Sequence, residues 1–231
     1  MEPDAMRTAA RALRYWRLRQ NVLSNNLANA GSKGFKGEQV FARLLESGET
    51  TFRSSTDMSE GAIEQTGRPL DVAMENSGFL VIRTESGPRL TRSGSLSLDR
   101  TGRLVNASGD AVLGEKGPIT LPSGDVDIDR DGMVSVDGQD VARLRVVRPG
   151  PNAEIQQEAG TRFRVASGET VRVEPDDRSV RQGALESSNV QPIESMVDLI
   201  SIQQNHAASM RSLQTLDGVM ETVVNRLARP G

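Results

Sequence analysis

The apolar residues of this chain change period twice, and that change limits the folds open to it. Near the start, Met6, Ala9, Leu13, Trp16, Gln20, Leu23, Leu27 and Ala30 follow 3-4-3-4 spacing without a slip. This is the seam of a helix built to pair with another, with Gln20 as its one polar position. Gly31, Ser32 and Gly34 then end the helix, because glycine tolerates the left-handed geometry of a helix C-cap. The last stretch reads the same way. Ser188 or Asn189 supplies a cap, Pro192 suits the first turn, and Glu194 places negative charge near the helix N-terminus. Its apolar positions run Ile193, Val197, Ile200, then Leu213, Leu216, Met220, Val223 and Leu227, with Gln203, Gln204 and Ala207 thinning the middle. A helix from there to the end is about 55 Å long at about 1.5 Å per residue, too long for a small domain to cover.

Between the two helices the pattern is different. Residues 70–182 hold short alternating runs such as 78–82, 95–98, 126–128, 133–136, 142–147 and 162–165. Turn residues such as Ser86-Gly87-Pro88, Asp131-Gly132 and Asp137-Gly138 break them at close intervals. Many short strands with Gly and Asp turns predict an antiparallel, hairpin-rich domain. The fold class expected is α+β: terminal helices paired as a coiled coil, with a central antiparallel β-rich domain. The boundaries expected are 1–36 for the N-terminal helical part, 37–69 for a polar connector, 70–182 for the β domain, and 183–231 for a connector and the C-terminal helix. An isolated helix is marginal in water, and its apolar stripe needs cover. Pairing the two ends covers part of each stripe, and any surplus calls for other copies of the chain.

Composition removes several function classes. With 231 residues, no cysteine and a net charge of −3, the chain has no thiol chemistry and no basic surplus for nucleic acid. No run approaches the roughly 18 to 20 apolar residues that span a bilayer. Arg7, Arg11, Arg14, Arg17 and Arg19 occupy the place where a secretory signal would have its apolar core. These arginines also surround the first helix rather than lining one face, so packing is the better reading than lipid binding.

Candidate chemistry is thin. Asp127-Ile-Asp129-Arg-Asp131-Gly132 resembles the opening of a calcium loop, but Gly138 stands where the bidentate glutamate belongs and the flanks read as strands. A solvent-facing strand before an Asp-Gly turn is the better reading. His206 is the single histidine, with no acid at helical spacing, and no phosphate-binding glycine loop occurs. No catalytic, metal or cofactor site is expected, and the chain is read as a structural protein rather than an enzyme. Amides are dense in the helical stretches, among them Gln20, Asn25, Asn26 and Asn29, and such residues fix register between packed helices.

Three stretches together resemble one family. Val22-Leu-Ser-Asn-Asn-Leu-Ala-Asn-Ala-Gly-Ser-Lys-Gly-Phe-Lys36 is similar to the S-N-N-[IL]-A-N-x-x-[ST]-x-G-[FY]-[KR] signature of flagellar rod, hook and hook-associated axial proteins. Arg68-Pro-Leu-Asp-Val-Ala73, Ser77-Gly-Phe79, Thr91-Arg-Ser-Gly94 and Gly102-Arg-Leu-Val105 resemble the family's central β domain. Gly183-Ala-Leu-Glu-Ser-Ser-Asn-Val-Gln-Pro-Ile-Glu-Ser-Met-Val197 resembles the motif that opens its C-terminal helix. The short gap from Lys36 to Asp71 and the Gly114–Thr120 wording are most like proximal-rod members, with a distal-rod paralogue as the alternative and a secreted calcium-binding or adhesive β domain as the rival from another class.

The resemblance implies a subunit exported unfolded by the flagellar type III apparatus, without a cleaved signal. It implies helical polymerisation with copies of itself and other rod proteins in the basal body, across the periplasm. Subunit contacts are then expected at Leu13, Trp16, Gln20, Leu23, Asn25, Asn26, Leu27, Asn29, Gly34 and Phe35, and at Asn189, Pro192, Glu194, Val197, Ile200, Leu213, Leu216, Met220 and Val223. The chain departs from the family pattern at Asn76-Ser77 and in the bulky Tyr15-Trp16 pair.

Overall fold

The structure is a computed structural model that describes residues 2–44 and 50–227. The chain holds two helices, α1 (Glu2–Ala28) and α2 (Pro192–Leu227), and, between them in sequence, a large antiparallel β-rich body, so the class is α+β. The chain divides into two compact units. One holds residues 1–28, 38–55 and 191–231; the other holds 29–37 and 56–190.

In the helical unit α1 packs on α2 and on the strand Glu38–Leu44. Alanines at positions 9, 10 and 12 and leucines at 13 and 18 favour helix throughout α1. The helix stops at Ala28, and the Ser32 amide donates to the Asn29 carbonyl at 2.9 Å in the turn that follows. The expected 3-4 seam is only half-buried: the most enclosed positions of α1 are Val22 at 6% exposure and Asn26 at 6%. The covered face is thus one residue round from the expected one. The cause is the polypeptide after the helix, because Glu38–Leu44 lies against α1 and Asn26 holds it by its backbone.

The covered face of α2 also differs from expectation. Ser195, Leu199, Ile202, His206, Ser209 and Leu213 are its enclosed or half-enclosed positions, a 4-3-4-3-4 spacing with Ile202 at 2% exposure. That covered face is built partly of small and polar residues, so a search for apolar residues passes over it. Neither Ser188 nor Asn189 caps α2. The helix opens directly at Pro192, and the Ser195 amide donates to the Gln191 carbonyl at 3.0 Å. The Ser188 hydroxyl accepts instead from the Val190 amide, and Asn189 is engaged in the β unit. The side chains of Met6, Leu216, Met220, Val223 and Leu227 lie outside the described residues.

The stretch read as a connector contains structure of its own. Glu38–Leu44 pairs with Thr50–Thr56 as a two-stranded sheet, and Ile63–Gln65 pairs with Ala184–Glu186. Polar composition hid these strands because little of them is buried.

The β unit is organised by an antiparallel sheet of ten strands. Phe79–Thr84 lies between Gly87–Thr91, Ala111–Gly114 and Val146–Pro149, and Glu154–Ala159 with Arg162–Ser167 extends one side. A smaller meander of Val126–Ile128, Met133–Val136 and Gln139–Arg143 adjoins it. The run 142–147, expected as one strand, is split between these two sheets. Leu144 donates to Gly132 of the meander, and Arg145 to Leu113 of the large sheet. Alternation along each strand fills two cores: a large one around Ile82, Leu104, Val112, Leu144 and Val146, and a smaller one around Phe79, Val81, Leu90, Val147 and Phe163.

The acidic run 127–132 is the hairpin between Val126–Ile128 and Met133–Val136. Asp131 accepts from the Met133 amide at 2.9 Å and pairs with Arg143 at 3.0 Å. Asn76 caps its own turn by accepting from the Gly78 amide at 3.1 Å, which gives that departure from the family pattern a local purpose. Tyr15 packs edge-on to Trp16 at 4.9 Å and against Phe52 of the hairpin at 5.0 Å.

Candidate functional site

Three of the quoted motifs meet in the β unit around one buried ion pair. Lys36 Nζ lies 2.6 Å from Glu186 Oε1, with both side chains sealed from solvent. The ammonium also donates to the Ser59 carbonyl at 2.5 Å, and the same carboxylate oxygen accepts from the Gly61 amide at 3.0 Å. Glu186 Oε2 faces the Arg92 guanidinium at 3.7 Å. Arg92 donates to the carbonyls of Met74 and Asn76 and lies 5.2 Å over the Phe79 ring. Burial lowers the Arg92 pKa, against the opposing pull of Glu186 and Glu60. Charges this deep persist only when paired and hydrogen-bonded.

The backbone of the motifs is joined at the same place. The Gly34 amide donates to the Glu186 carbonyl at 2.7 Å. Gly34 has φ +72° and sits so close to residue 92 that a Cβ would lie 2.4 Å from the Arg92 carbonyl carbon, so the motif needs glycine there twice over. Asn189 Oδ1 accepts from the Gly37 amide at 2.8 Å, and its Nδ2 donates to the Asp57 carbonyl at 2.9 Å and to Ser59. At the edge of the cluster Lys33 bridges to Glu64 at 2.5 Å, and Ser187 donates to the same carboxylate. The hydrogen bond from Lys33 holds Glu64 below its ordinary pKa, with Ser187 assisting.

The expected contact residues therefore fall into two groups. Gly34, Phe35 and Asn189 are engaged within the chain, and Phe35 is fully enclosed. Asn26 is too: its side chain donates to the Glu38 carbonyl at 2.8 Å and accepts from the Glu38 amide at 2.9 Å. Asn29 accepts from the Ser32 hydroxyl at 3.4 Å, and Asn25 lies exposed with a partner of its own. Leu13, Trp16, Gln20, Leu23, Leu27 and Leu213 are half-buried. Pro192, Glu194, Val197 and Ile200 are exposed.

Val197 and Ile200 of that last group belong to a bare apolar stripe. Ile193 is 78% exposed, Met196 50%, Val197 59% and Ile200 56%. Their i, i+3, i+4, i+7 spacing puts them on one face of α2. Met196 was missed by sequence reasoning, although this spacing was there to reveal it. The Lys36–Glu186–Arg92 cluster was missed as well. Its residues stand inside the quoted motifs, but nothing in a sequence says which charges face each other.

Among the described residues no three His, Cys, Asp or Glu side chains gather to hold a metal. No helix among them is long and apolar enough to cross a membrane. Comparison with known proteins then gives the context. Residues 6–36 match the flagella basal body rod protein family, 73–136 the flagellar hook protein FlgE/F/G D1 domain, and 181–227 the flagellar basal body rod FlgEFG protein C-terminal region. The flagellar basal-body rod protein FlgF of Salmonella typhimurium is 33% identical over 227 residues, covering 86% of this chain and 88% of that protein. FlgF of Escherichia coli is 32% identical over 228 residues, with 86% and 88% covered. FlgF of Caulobacter vibrioides is 28% identical over 225 residues, with 90% and 91% covered.

This chain belongs to the flagellar basal-body rod protein family. Within it the chain is most like FlgF. The three matched regions each contribute one member of the buried charge cluster: Lys36, Arg92 and Glu186. In this rod-family chain the cluster ties three separate segments of the β unit to one another.

Proposed function

We propose that this chain is a structural subunit of the flagellar basal-body rod, acting by packing rather than by chemistry. The single observation that carries this reading is the stripe of Ile193, Met196, Val197 and Ile200 on α2. The opposite seam of the same helix is already occupied within the chain. An apolar face of this kind, on a helix whose other face is satisfied, is built for a partner. α1 and α2 pair in the manner of a coiled coil and form the inner wall of a tube. The partners are copies of this chain and neighbouring rod proteins. Export by the flagellar type III apparatus brings the subunit to its place.

The test is complementation of a strain lacking the chain, read as motility and basal-body morphology. Full-length protein restores rods. Versions lacking 1–30 or 193–231, and the full chain with Val197→Glu and Ile200→Glu, do not. Because these two positions are exposed, the double variant keeps its stability within the range of ordinary surface changes, about 0.5 kcal/mol. Normal swimming without the chain, or rescue by the β body alone, overturns the reading.

A further inference from the structure

Two features of the β unit are left unused by the rod reading. The first is a groove on the smaller core. Val81, Leu90, Val147 and Phe163 floor it, and arginines 89, 145 and 164 stand at its edge. Glu158 binds two of these, Arg89 at 2.6 Å and Arg164 at 3.2 Å. Arg145 has no acidic partner among the described residues. It is exposed and lines the groove directly before the strand Val146–Pro149. The neighbouring Arg172 and Arg178 both converge on one carboxylate, Glu115, so the surroundings add further positive charge.

The second feature is the acidic strand whose calcium-like spelling the rod reading did not absorb. Asp125, Asp127 and Asp129 are exposed at alternate positions, about 7 Å apart along one face. Asp127 is opposite Ser135, which is in turn opposite Asp140, so a fourth exposed carboxylate shares that face. Among the described residues none of the four is in an ion pair. The nearest arginine in sequence, Arg130, donates to the Ser179 hydroxyl at 3.2 Å.

We propose that the arginine groove of one copy receives the acidic strand of the next, making a second contact between copies that involves the β bodies alone. Made head to tail, groove of one copy on strand of the next, such a contact is heterologous, and its repetition gives an open helical array or a ring. Charge complementarity of this kind fixes register and partner choice and is weakened by salt. The inference rests on the polymer reading, since it supplies lateral contacts to a subunit that α2 already joins.

A charge swap tests it on the full-length chain. One variant carries Arg145→Glu; the other carries Asp127→Lys and Asp129→Lys. All three positions are exposed, so circular dichroism melts serve only to show that both fold as the wild type does. Association is followed by sedimentation at low and at high salt. Wild-type protein associates in a salt-sensitive manner, and each variant alone does so at least about tenfold more weakly. An equimolar mixture of the two recovers the wild-type association, because each groove then meets a strand of opposite charge. Absence of salt-sensitive association in the wild type overturns the proposal. So does a variant that associates normally, or a mixture that stays dissociated, the last pointing to a different acidic partner in the groove. The α2 stripe is intact in both variants, so these failures leave the rod reading standing, and only the complementation result above can remove it.

Discussion

The β unit and the helical unit treat their motif residues in opposite ways. In the β unit Gly34, Lys36, Arg92, Glu186 and Asn189 are bonded to one another or to adjacent backbone, and little of this cluster reaches the surface. In the helical unit the seam of α2 is covered, yet Ile193, Met196, Val197 and Ile200 stay in solvent. A family motif therefore does not mean one thing along one chain. In the β unit it secures the fold, and on α2 it leaves apolar area over for a partner. Changes in the first region are expected to act on stability and changes in the second on assembly.

The largest stability effect is expected at Glu186. Glu186→Ala removes the acceptor for Lys36 and for the Gly61 amide and leaves an ammonium enclosed without its counter-charge. Breaking a buried pair from one side costs about 3–5 kcal/mol, read by urea denaturation. Replacing both partners, Lys36→Met with Glu186→Leu, costs less than the single change, because no charge is then stranded. Equal losses for the single and double variants would show that packing rather than charge holds the cluster. A smaller effect is expected in the helical unit from Asn26→Ala. It leaves both backbone groups of Glu38 without the side chain that satisfies them, worth about 1–3 kcal/mol. If Asn26→Ala spares the melt and abolishes assembly instead, the division between the two regions breaks at that residue.

Much of this contrast could be read in advance, and the parts that could not have a common cause. Period separates helix from strand, so the terminal helices and the hairpin-rich middle were legible from spacing alone. Burial direction was not. α1 turns Val22 and Asn26 inward because Glu38–Leu44 lies against it, and that strand sits in a polar stretch with no alternation strong enough to announce it. The seam of α2 runs through Ser195, His206 and Ser209, which a search for apolar residues skips. The split of 142–147 between two sheets is equally a tertiary decision, made by which carbonyls the amides of Leu144 and Arg145 find. The stripe on α2 was half legible: Val197 and Ile200 were picked out as contacts, but nothing showed that they lie off the covered seam.

The smallest effect is a pH dependence confined to the β unit. Glu115 bonds Arg172 at 2.6 Å and Arg178 at 3.0 Å, and Arg178 in turn donates to the carbonyls of Val173 and Leu144. Burial pushes the Glu115 carboxyl up, but the hydrogen bond from Arg178 and the charge of Arg172 outweigh it and hold the pKa below its ordinary value of 4.5. A carboxylate with a lower pKa folded than unfolded binds fewer protons in the folded state across that window. Its contribution is thus complete above about 4.5 and disappears as the pH falls through the lowered folded value. Glu115→Gln cannot titrate, so the stability gap between wild type and variant should be constant near neutrality and close in acid. Urea denaturation from pH 7 to pH 3 measures that gap. Curves that stay parallel down to pH 3 would mean that Glu115 holds Arg178 by shape and not by charge, which would leave the Lys36–Glu186–Arg92 cluster as the buried ionic tie of the β unit.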